Sequence, residues 1–413
     1  MFLKTIKFLL KVLFWLLLLL TVIFIIIYAL SPVYKFPEYK AFSGDKIHNP
    51  YQGMDSTAWK KGNFQVQSRV WLGLTNGRHN TNDAIQTIYR QLGYDIIVTS
   101  DYMTINPFGE DRPTYIPTYE HGYSYRKVHQ VCIGSQKVNW IDYPVYQNIN
   151  HKQHIINILR KNNEIVTLAH PDLRDGYTLD DLRLLSNYDL IEVLNEARFS
   201  VNHWDAALSS GHPAYILAND DAHNIFDPTE VGRICTFINT PTLNAGEVMQ
   251  AMKAGRAFGA DIAMREGADF VERSEDHKRI PVLKAMKLNG DTLSVRVSQR
   301  AKLISFIGQN GVVKQMVQDT TAARYVVQAD DSYIRTEILF DNGSRFYLNP
   351  VYRYSGNQPA KPPQVKIDQI KTWVKRGIAL IVTIIIVLII SRLAKGKPKK
   401  GKINRRPNYY YQR

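Results

Sequence analysis

The sequence predicts an α/β domain with parallel strands in the form of a barrel, followed by a small antiparallel β module and flanked by two transmembrane helices. Three observations support this fold class. Segments of helical periodicity alternate four times with short apolar runs in the middle of the chain. After about residue 282, apolar and polar residues alternate instead, with Asn-Gly pairs between the runs. A long, uncharged apolar run lies near each end of the chain.

The first apolar run covers residues 12–30 (VLFWLLLLLTVIFIIIYAL) and is long enough to cross a bilayer core of about 30 Å as a helix. Lysines precede it, as in a signal peptide. However, the run exceeds the apolar length of about 7–15 residues that signal peptides use, and "YALSP" is a poor cleavage site. We therefore expect residues 1–30 to form an uncleaved anchor. The second run, residues 377–390, extends through Trp373 and flanking basic side chains to a span over residues 373–393.

The formal net charge of +15 is concentrated at the two ends of the chain. Residues 1–30 carry three lysines and residues 371–413 carry twelve lysines and arginines, without any acidic residue, so residues 31–370 are formally neutral. A neutral central region argues against nucleic-acid binding. Under the positive-inside rule, both termini are cytoplasmic and the main domain is periplasmic or extracellular. The basic tail, residues 394–413, is expected to face lipid and is a candidate site for a membrane or cytoplasmic protein partner.

The composition of the chain predicts the remaining segment boundaries. Four segments are expected between the two membrane helices: a turn-rich stalk (31–58), the α/β barrel (59–282), a β-sandwich-like module (283–356) and a linker (357–372). Within the barrel region, helices are predicted over residues 82–92, 151–161, 179–186 and 202–210. The strands that follow them cover residues 94–99, 164–169, 190–194 and 214–218. The C-terminal ends of parallel strands in a barrel converge on one rim, where active sites are built.

Potential metal ligands follow these predicted strands. Asp101 follows the first strand after Ser100, His170 comes directly after the second, Glu192 lies within the third, and "YILANDDAHN" ends the fourth with Asp221 and His223. Imidazole and carboxylate groups together bind zinc, manganese or iron, and such ions activate water for hydrolysis. In chain order, the candidate ligands are Asp101, Glu120, His129, His170, Asp221 and His223.

In this order, the segments resemble those of the polymerase and histidinol phosphatase (PHP) metallohydrolases. The resembling segments are "KGNFQVQS" (61–68), "LGYDIIVTSDY" (92–102), "YEHGYS" with "HQVCIG" (119–134), "IVTLAHPD" (165–172), "IEVLNE" (191–196) and "NDDAHN" (219–224). The trailing β module, with "FIGQNGVV" and "YLNPVY", is similar to the appendix of the carbaryl-hydrolase-like branch. The resemblance covers residues 59–354 and implies a distorted (βα) barrel of the PHP type.

The resemblance also implies ligand positions for Glu120, His129, His170, Asp221 and His223. Glu120 would be a bridging carboxylate that completes one site with His129 and His170, whereas His223 would belong to a neighbouring site. Asp101 matches the aspartate of the family's Thr-Asp-His and would be a ligand or a residue that orients one. The implied activity is metal-dependent hydrolysis of a phosphoester or related ester, with Asp101 or His223 moving protons.

The chain departs from the family at its first metal motif. The family's His-x-His aligns with Gln65 and Gln67, and its Thr-Asp-His ends here on Tyr102. A neutral amide, and a phenol with an ordinary pKa near 10, are poor ligands for a transition metal. His79, in a lengthened loop, offers a replacement imidazole. We therefore expect fewer ions than the family norm.

Three hypotheses remain open from the sequence. The first is a membrane-anchored extracytoplasmic hydrolase with a reduced metal site, in which Arg69 or Arg78 holds an anionic group. The second is a catalytically inactive PHP-like pseudoenzyme that serves as a binding or scaffold module of a membrane complex. The loss of imidazoles at Gln65, Gln67 and Tyr102 favours this second hypothesis. In the third, rim carboxylates and imidazoles pair with one another without metal.

Overall fold

The computed structural model describes residues 2–359 and 364–394. The described residues divide into two compact units, one made of the residues up to Val33 together with those from Asp368 to Ala394, and the other of Tyr34–Ile367. The predicted basic tail lies outside the described residues from residue 395 onward.

The helices are α1 (Phe2–Leu30), α2 (Asn82–Gln91), α3 (Ile149–Leu159), α4 (Leu179–Leu184), α5 (Val201–Ser209), α6 (Ala245–Lys253), α7 (Phe270–His277) and α8 (Gln369–Ala394). The strands are β1 (Tyr34–Lys35), β2 (Lys46–His48), β3 (Trp59–Asn63), β4 (Ile96–Ile97), β5 (Thr118–His121), β6 (Gln130–Ser135), β7 (Asn163–Leu168), β8 (Leu190–Asn195), β9 (Tyr215–Asn219), β10 (Ile234–Asn239), β11 (Ala257–Asp261), β12 (Leu283–Asn289), β13 (Thr292–Ile307), β14 (Val313–Val326), β15 (Tyr333–Phe340), β16 (Arg345–Tyr354) and β17 (Lys366–Ile367).

The smaller unit contains two long apolar helices. Lys4–Leu30 within α1 and Gln369–Arg392 within α8 are long and apolar enough to cross a membrane, and neither is buried in the structure. At the end of α1, the Lys375 ammonium donates a 2.6 Å hydrogen bond to Ser31 Oγ. The end of α1 and the start of α8 therefore lie side by side.

Two large sheets build the Tyr34–Ile367 unit. The larger has the order β12-β13-β15-β16-β11-β10-β3-β4, with β14 beside β13 and β2 beside β16, and the smaller has the order β5-β6-β7-β8-β9. The pairs β3-β4, β7-β8 and β8-β9 are parallel. The predicted parallel strands after α3, α4 and α5 are therefore confirmed. The pairs β5-β6 and β10-β11 are antiparallel and were not expected. No crossover helix separates β5 from β6, so this pair can adopt the antiparallel arrangement.

In the described part of the chain, no continuous ladder closes these sheets into a barrel. Single bridges join Val66, which follows β3, to Ala222, which follows β9, and Tyr102, which follows β4, to Glu120 in β5. The mixed α/β class is as predicted, whereas the closed barrel stays a prediction.

The β strands after residue 282 continue the larger sheet and share its core. β16 pairs with β11, with Phe258 opposite Leu348, and the rings of Phe258 and Phe346 pack 4.7 Å apart between centroids. The segment predicted as a stalk also packs here, because Tyr51 is buried and its hydroxyl donates to Ala257 O at 2.7 Å. Residues on both sides of the predicted boundaries at 58/59 and 282/283 thus belong to one hydrophobic core.

Candidate metal centre

Three neighbouring strands bring Glu120, His129 and His170 to one edge of the five-stranded sheet. Glu120 lies in β5, His129 directly precedes β6, and His170 comes two residues after the end of β7. Antiparallel pairing places the end of one strand beside the start of the next. A 3.2 Å hydrogen bond from Ala169 N to His129 O holds the end of β7 beside the start of β6.

These three side chains form a compact cluster. They are buried, and one ligand atom of each lies within 4.8 Å of the other two. Glu120 Oε1 contacts His129 Nδ1 and lies 3.5 Å from His170 Nε2. Two imidazoles and a carboxylate are a donor set that zinc and similar ions accept in open sites. Glu120, His129 and His170 could therefore hold a divalent metal.

The backbone around the cluster adopts conformations that most residues avoid. His170 has a φ of 29°, in the left-handed region. Gly122 has a φ of 119°, and a Cβ atom at this position would lie 2.9 Å from His129 Cδ2. Glycine is thus required beside the His129 ring.

The altered first motif lies in the same site. Gln65 and Gln67 point to one side of an extended segment, because Val66 between them packs into the hydrophobic core. Gln67 Nε2 donates a 2.7 Å hydrogen bond to Glu120 Oε2. Gln67 Oε1 and both polar atoms of the Gln65 amide are buried and have no hydrogen-bond partner among the described residues. Unpaired buried amides are costly, so these atoms fit a site that receives a polar ligand.

Electrostatic interactions within the cluster oppose the effect of burial on the pKa values of its side chains. Burial acts to raise the pKa of Glu120, but the imidazoles of His129 and His170 outweigh it and hold that pKa well below its usual range. For His170, burial acts in the lowering direction, but Glu120, Asp221 and Glu192 raise the pKa to about 9. Burial lowers the pKa of His129. Glu120 is therefore ionised at neutral pH, and His170 must lose a proton before it can bind a cation.

Asp101, predicted as a ligand or an orienting residue, is buried next to this cluster but does not belong to it. Its Oδ1 accepts a 2.6 Å hydrogen bond from Ser68 N, and its Oδ2 accepts from Ser68 Oγ at 2.7 Å and Asn106 Nδ2 at 2.9 Å. Burial raises the pKa of Asp101, and these hydrogen bonds offset the rise only in part. Both carboxylate oxygens are thus engaged by donors of this chain. The backbone also links Asp101 to the cluster, since Glu120 N donates to Asp101 O at 3.1 Å.

Asp221 and His223 follow β9 and also lie outside the three-residue cluster. Asp221 Oδ2 accepts a 3.1 Å hydrogen bond from Asn195, whereas its Oδ1 is buried without a partner in the described part of the chain. His223 Nε2 lies 3.2 Å from the Tyr102 hydroxyl. Burial, with Glu120 and Asp221 nearby, raises the pKa of Tyr102. The phenol therefore stays protonated and can donate to His223.

Glu192 holds His170 in place, a role that the sequence did not reveal. Its Oε2 accepts from His170 N at 2.9 Å and from Asn195 Nδ2 at 3.0 Å, and its Oε1 accepts from Asn219 Nδ2 at 2.8 Å. Burial raises the pKa of Glu192 to about 8. The available signal was a single carboxylate inside an otherwise apolar strand.

His79 does not replace the missing imidazoles. It is exposed, it lies outside the cluster, and its Nε2 accepts a 3.0 Å hydrogen bond from Arg78 Nε. The expectation that Arg69 or Arg78 holds an anionic group stays a prediction.

An open cleft of about 550 Å³ reaches the centre at His129 and Tyr102, and Trp71, Lys127 and Trp140 also line it. The only signal of this cleft in the sequence is "RVWLGL", which is unusually apolar for a loop.

No protein-family model and no curated protein matches this chain. Among solved structures, it is similar to a two-domain protein from Bacteroides vulgatus ATCC 8482 described as containing a predicted PHP-like metal-dependent phosphoesterase. The identity is 12%, the TM-score is 0.35, and the alignment covers 78% of this chain and 92% of the other. A score this low does not establish a shared fold.

Proposed function

We propose that this chain is a membrane-anchored, metal-dependent hydrolase of phosphoesters, with a reduced form of the PHP-type metal site. The observation that carries the proposal is the buried cluster of Glu120, His129 and His170, whose ligand atoms lie within 4.8 Å of one another. In this proposal the two sheets, joined by the Val66 and Tyr102 bridges, are a distorted barrel of the PHP type. The helices α1 and α8 anchor it, with both termini cytoplasmic and the main domain periplasmic or extracellular.

Glu120, His129 and His170 would hold the ion, which when bound polarises a phosphoryl oxygen and activates water. Gln67 orients Glu120 through the 2.7 Å hydrogen bond from Nε2 to Oε2. The Tyr102 hydroxyl donates to His223 Nε2 and so orients the His223 imidazole, which moves protons in this proposal. Asp101 is less suited to proton transfer than His223, because Ser68 and Asn106 already occupy both of its oxygens. Asp101 positions the loop that follows Gln67.

A catalytically inactive PHP-like binding or scaffold module is the second candidate. The observation that favours it is that this chain alone satisfies Glu120, through Gln67 on one oxygen and the two histidines on the other. In that function the ion pairs stabilise the fold and the site performs no chemistry.

Hydrolysis of a soluble phosphoester by the full-length protein in detergent distinguishes the two candidates. We expect p-nitrophenyl phosphate to be hydrolysed with added zinc, manganese or iron, and the rate to fall by a factor of about 100 or more in His170→Ala. His48→Ala, the same substitution at a histidine of β2 outside the cluster, is the matched control and should keep the rate. Equal rates for the wild type and His170→Ala, or no hydrolysis with any of the three ions, would favour the inactive module.

A further inference from the structure

The loop of residues 68–80, which precedes α2, presents large apolar side chains to solvent. Leu72 is 97% exposed and Leu74 is 87% exposed, and Trp71 beside them is also exposed. Trp71 and Leu72 have φ values of 52° and 57°, in the left-handed region that bulky residues avoid. One exposed leucine needs no explanation, but three exposed large apolar residues within four positions form a patch.

Hydrogen bonds hold this apolar loop in a defined position beside the candidate metal centre. Trp71 Nε1 donates to Tyr102 O at 2.7 Å, and Arg69 N donates to Asn80 O at 2.9 Å. The Asn80 side chain in turn donates to Gln67 O at 2.7 Å. The apolar tip is therefore anchored to the same segment that carries the altered metal motif.

Trp71, Thr75 and Asn76 of the loop line the open cleft that reaches His129. Trp71 and Trp140 meet edge to face in this cleft, with ring centroids 5.9 Å apart. Lys127 also lines it, and the Lys127 ammonium lies 5.7 Å from the centre of the Tyr102 ring. Apolar surface and a cation thus occur together next to the candidate metal ligands.

Further cations lie in the loop itself. Arg69 and Arg78 are exposed, and the Arg69 guanidinium lies beside Gly73 at the apolar tip, 3.6 Å from where a Cβ atom of residue 73 would be. These two arginines of the loop and Lys127 of the cleft are cations that can pair with a phosphate group.

The kinds of exposed side chain distinguish between phosphate-bearing ligands. A sugar ring or a nucleobase stacks on tryptophan faces, but it gains little from the aliphatic side chains of Leu72 and Leu74. A hydrocarbon chain gains from contact with both leucines and with the tryptophans. We propose that the loop and the cleft bind the hydrocarbon chain of an amphiphilic phosphoester, such as an anionic lipid, while its phosphate group points toward His129 and Lys127.

This inference rests on the proposed function and names the substrate class of the same site. Hydrolysis of such a substrate would consume one water, break one phosphorus–oxygen bond, and release an alcohol and a phosphate. A chain held at a bilayer by α1 and α8 would have lipid substrates nearby.

Photo-labelling of the full-length chain in phosphatidylcholine nanodiscs tests the proposal. The probe is phosphatidic acid with a diazirine near the end of one acyl chain, and mass spectrometry maps the labelled residues. We expect labelling in residues 68–80, reduced about tenfold in the Leu72→Ser/Leu74→Ser variant, which removes two apolar contacts. The matched control, Val313→Ser/Met316→Ser, removes two exposed apolar side chains from β14 and should label like the wild type.

Two further probes complete the experiment. A diazirine-bearing octyl phosphate, added below its micellar concentration, labels the loop if free amphiphiles also bind, and it thereby distinguishes soluble from bilayer sources. The same diazirine chain on an uncharged diacylglycerol should label the loop at least about fivefold less, because it lacks the phosphate. No labelling of residues 68–80 by either phosphate probe, or equal labelling by the uncharged lipid, would overturn the proposal.

Labelling requires no turnover, so the two proposals can fail separately. Labelling without hydrolysis of p-nitrophenyl phosphate would refute the hydrolase and leave a lipid-binding module. Hydrolysis without labelling would refute the amphiphile as substrate and leave the hydrolase intact.

Discussion

Substitution of Asp205 by asparagine tests how firmly the β strands after residue 282 are joined to the α/β part. Asp205 lies in α5, and its carboxylate accepts hydrogen bonds from Arg335 Nε at 2.7 Å, Arg335 Nη2 at 2.8 Å and the Tyr333 hydroxyl at 3.0 Å. Both partners belong to β15. Only 3% of the Arg335 side chain and 8% of the Asp205 side chain are exposed, so solvent screens this ion pair very little.

The expected loss of stability follows from the environment of Arg335. Removing one member of a buried ion pair costs about 3–5 kcal/mol, because the remaining charge stays buried. Arg335 keeps a second acidic partner, Glu337, so we expect the lower value, about 3 kcal/mol. At an unfolding entropy of about 2.1 cal/mol/K per residue, a unit of about 330 residues loses about 1.4 °C per kcal/mol, so the unfolding midpoint should fall by about 4 °C.

Thermal unfolding of the full-length protein in detergent, followed by tryptophan fluorescence, measures this effect. Asp180→Asn is the matched control, because Asp180 pairs with Arg183 at the surface and its side chain is 82% exposed. The control should change the free energy of unfolding by less than about 0.5 kcal/mol. If Asp205→Asn is as stable as Asp180→Asn, the reasoning about the buried pair is wrong.

Three further predictions concern pH dependence and the metal site. Burial lowers the pKa of Lys61 to about 8. The unfolded chain keeps that proton up to about pH 10.5, so stability should rise between pH 8 and 10.5 by up to about 3 kcal/mol. Unfolding experiments across that range should show that Lys61→Met removes this rise in stability, whereas the control Lys60→Met keeps it. If the free energies of unfolding of the two variants change in parallel with pH, the prediction is wrong. Gln65→His/Gln67→His should increase bound metal per chain and the rate of phosphoester hydrolysis, and no change in either would show that the alignment of this segment with the family motif is wrong. Gly122→Ala should weaken metal binding at least about tenfold, because its Cβ atom would press on the His129 ring. Gly53→Ala is the control, because Gly53 also has a positive φ but no atom lies within 4 Å of the added Cβ. This variant should bind metal as tightly as the wild type in a titration.

The local parts of the fold could be predicted from sequence. Helix α2 begins at the predicted residue, because apolar spacing and the Thr81 cap, which accepts from Ala84 N, are both encoded within a few positions. The strand predicted at 94–99 is reduced to Ile96–Ile97, although the residues on either side still bond to the β3 segment, with Asp95 N donating to Lys61 O and Val98 N to Asn63 O. Such long-range pairing leaves no periodic signal in the sequence.

At the candidate metal centre, too, some features could be predicted from sequence and others depend on long-range contacts. Glu120, His129 and His170 were assigned through resemblance to a family, and the structure brings these three together. The hydrogen bond from the Gln67 amide to Glu120 joins two residues that lie more than fifty positions apart in the chain, so no local sequence pattern predicts it. The cleft depends on the contact between Trp71 and the backbone of Tyr102, which no local pattern encodes.

The metal content of the full-length protein, purified without chelator, tests the central claim most directly. The proposed site predicts about one zinc, manganese or iron ion per chain, lost in His170→Ala and retained in His79→Ala. Folded wild-type protein that carries no metal, both as purified and after incubation with each of these ions, would contradict the claim.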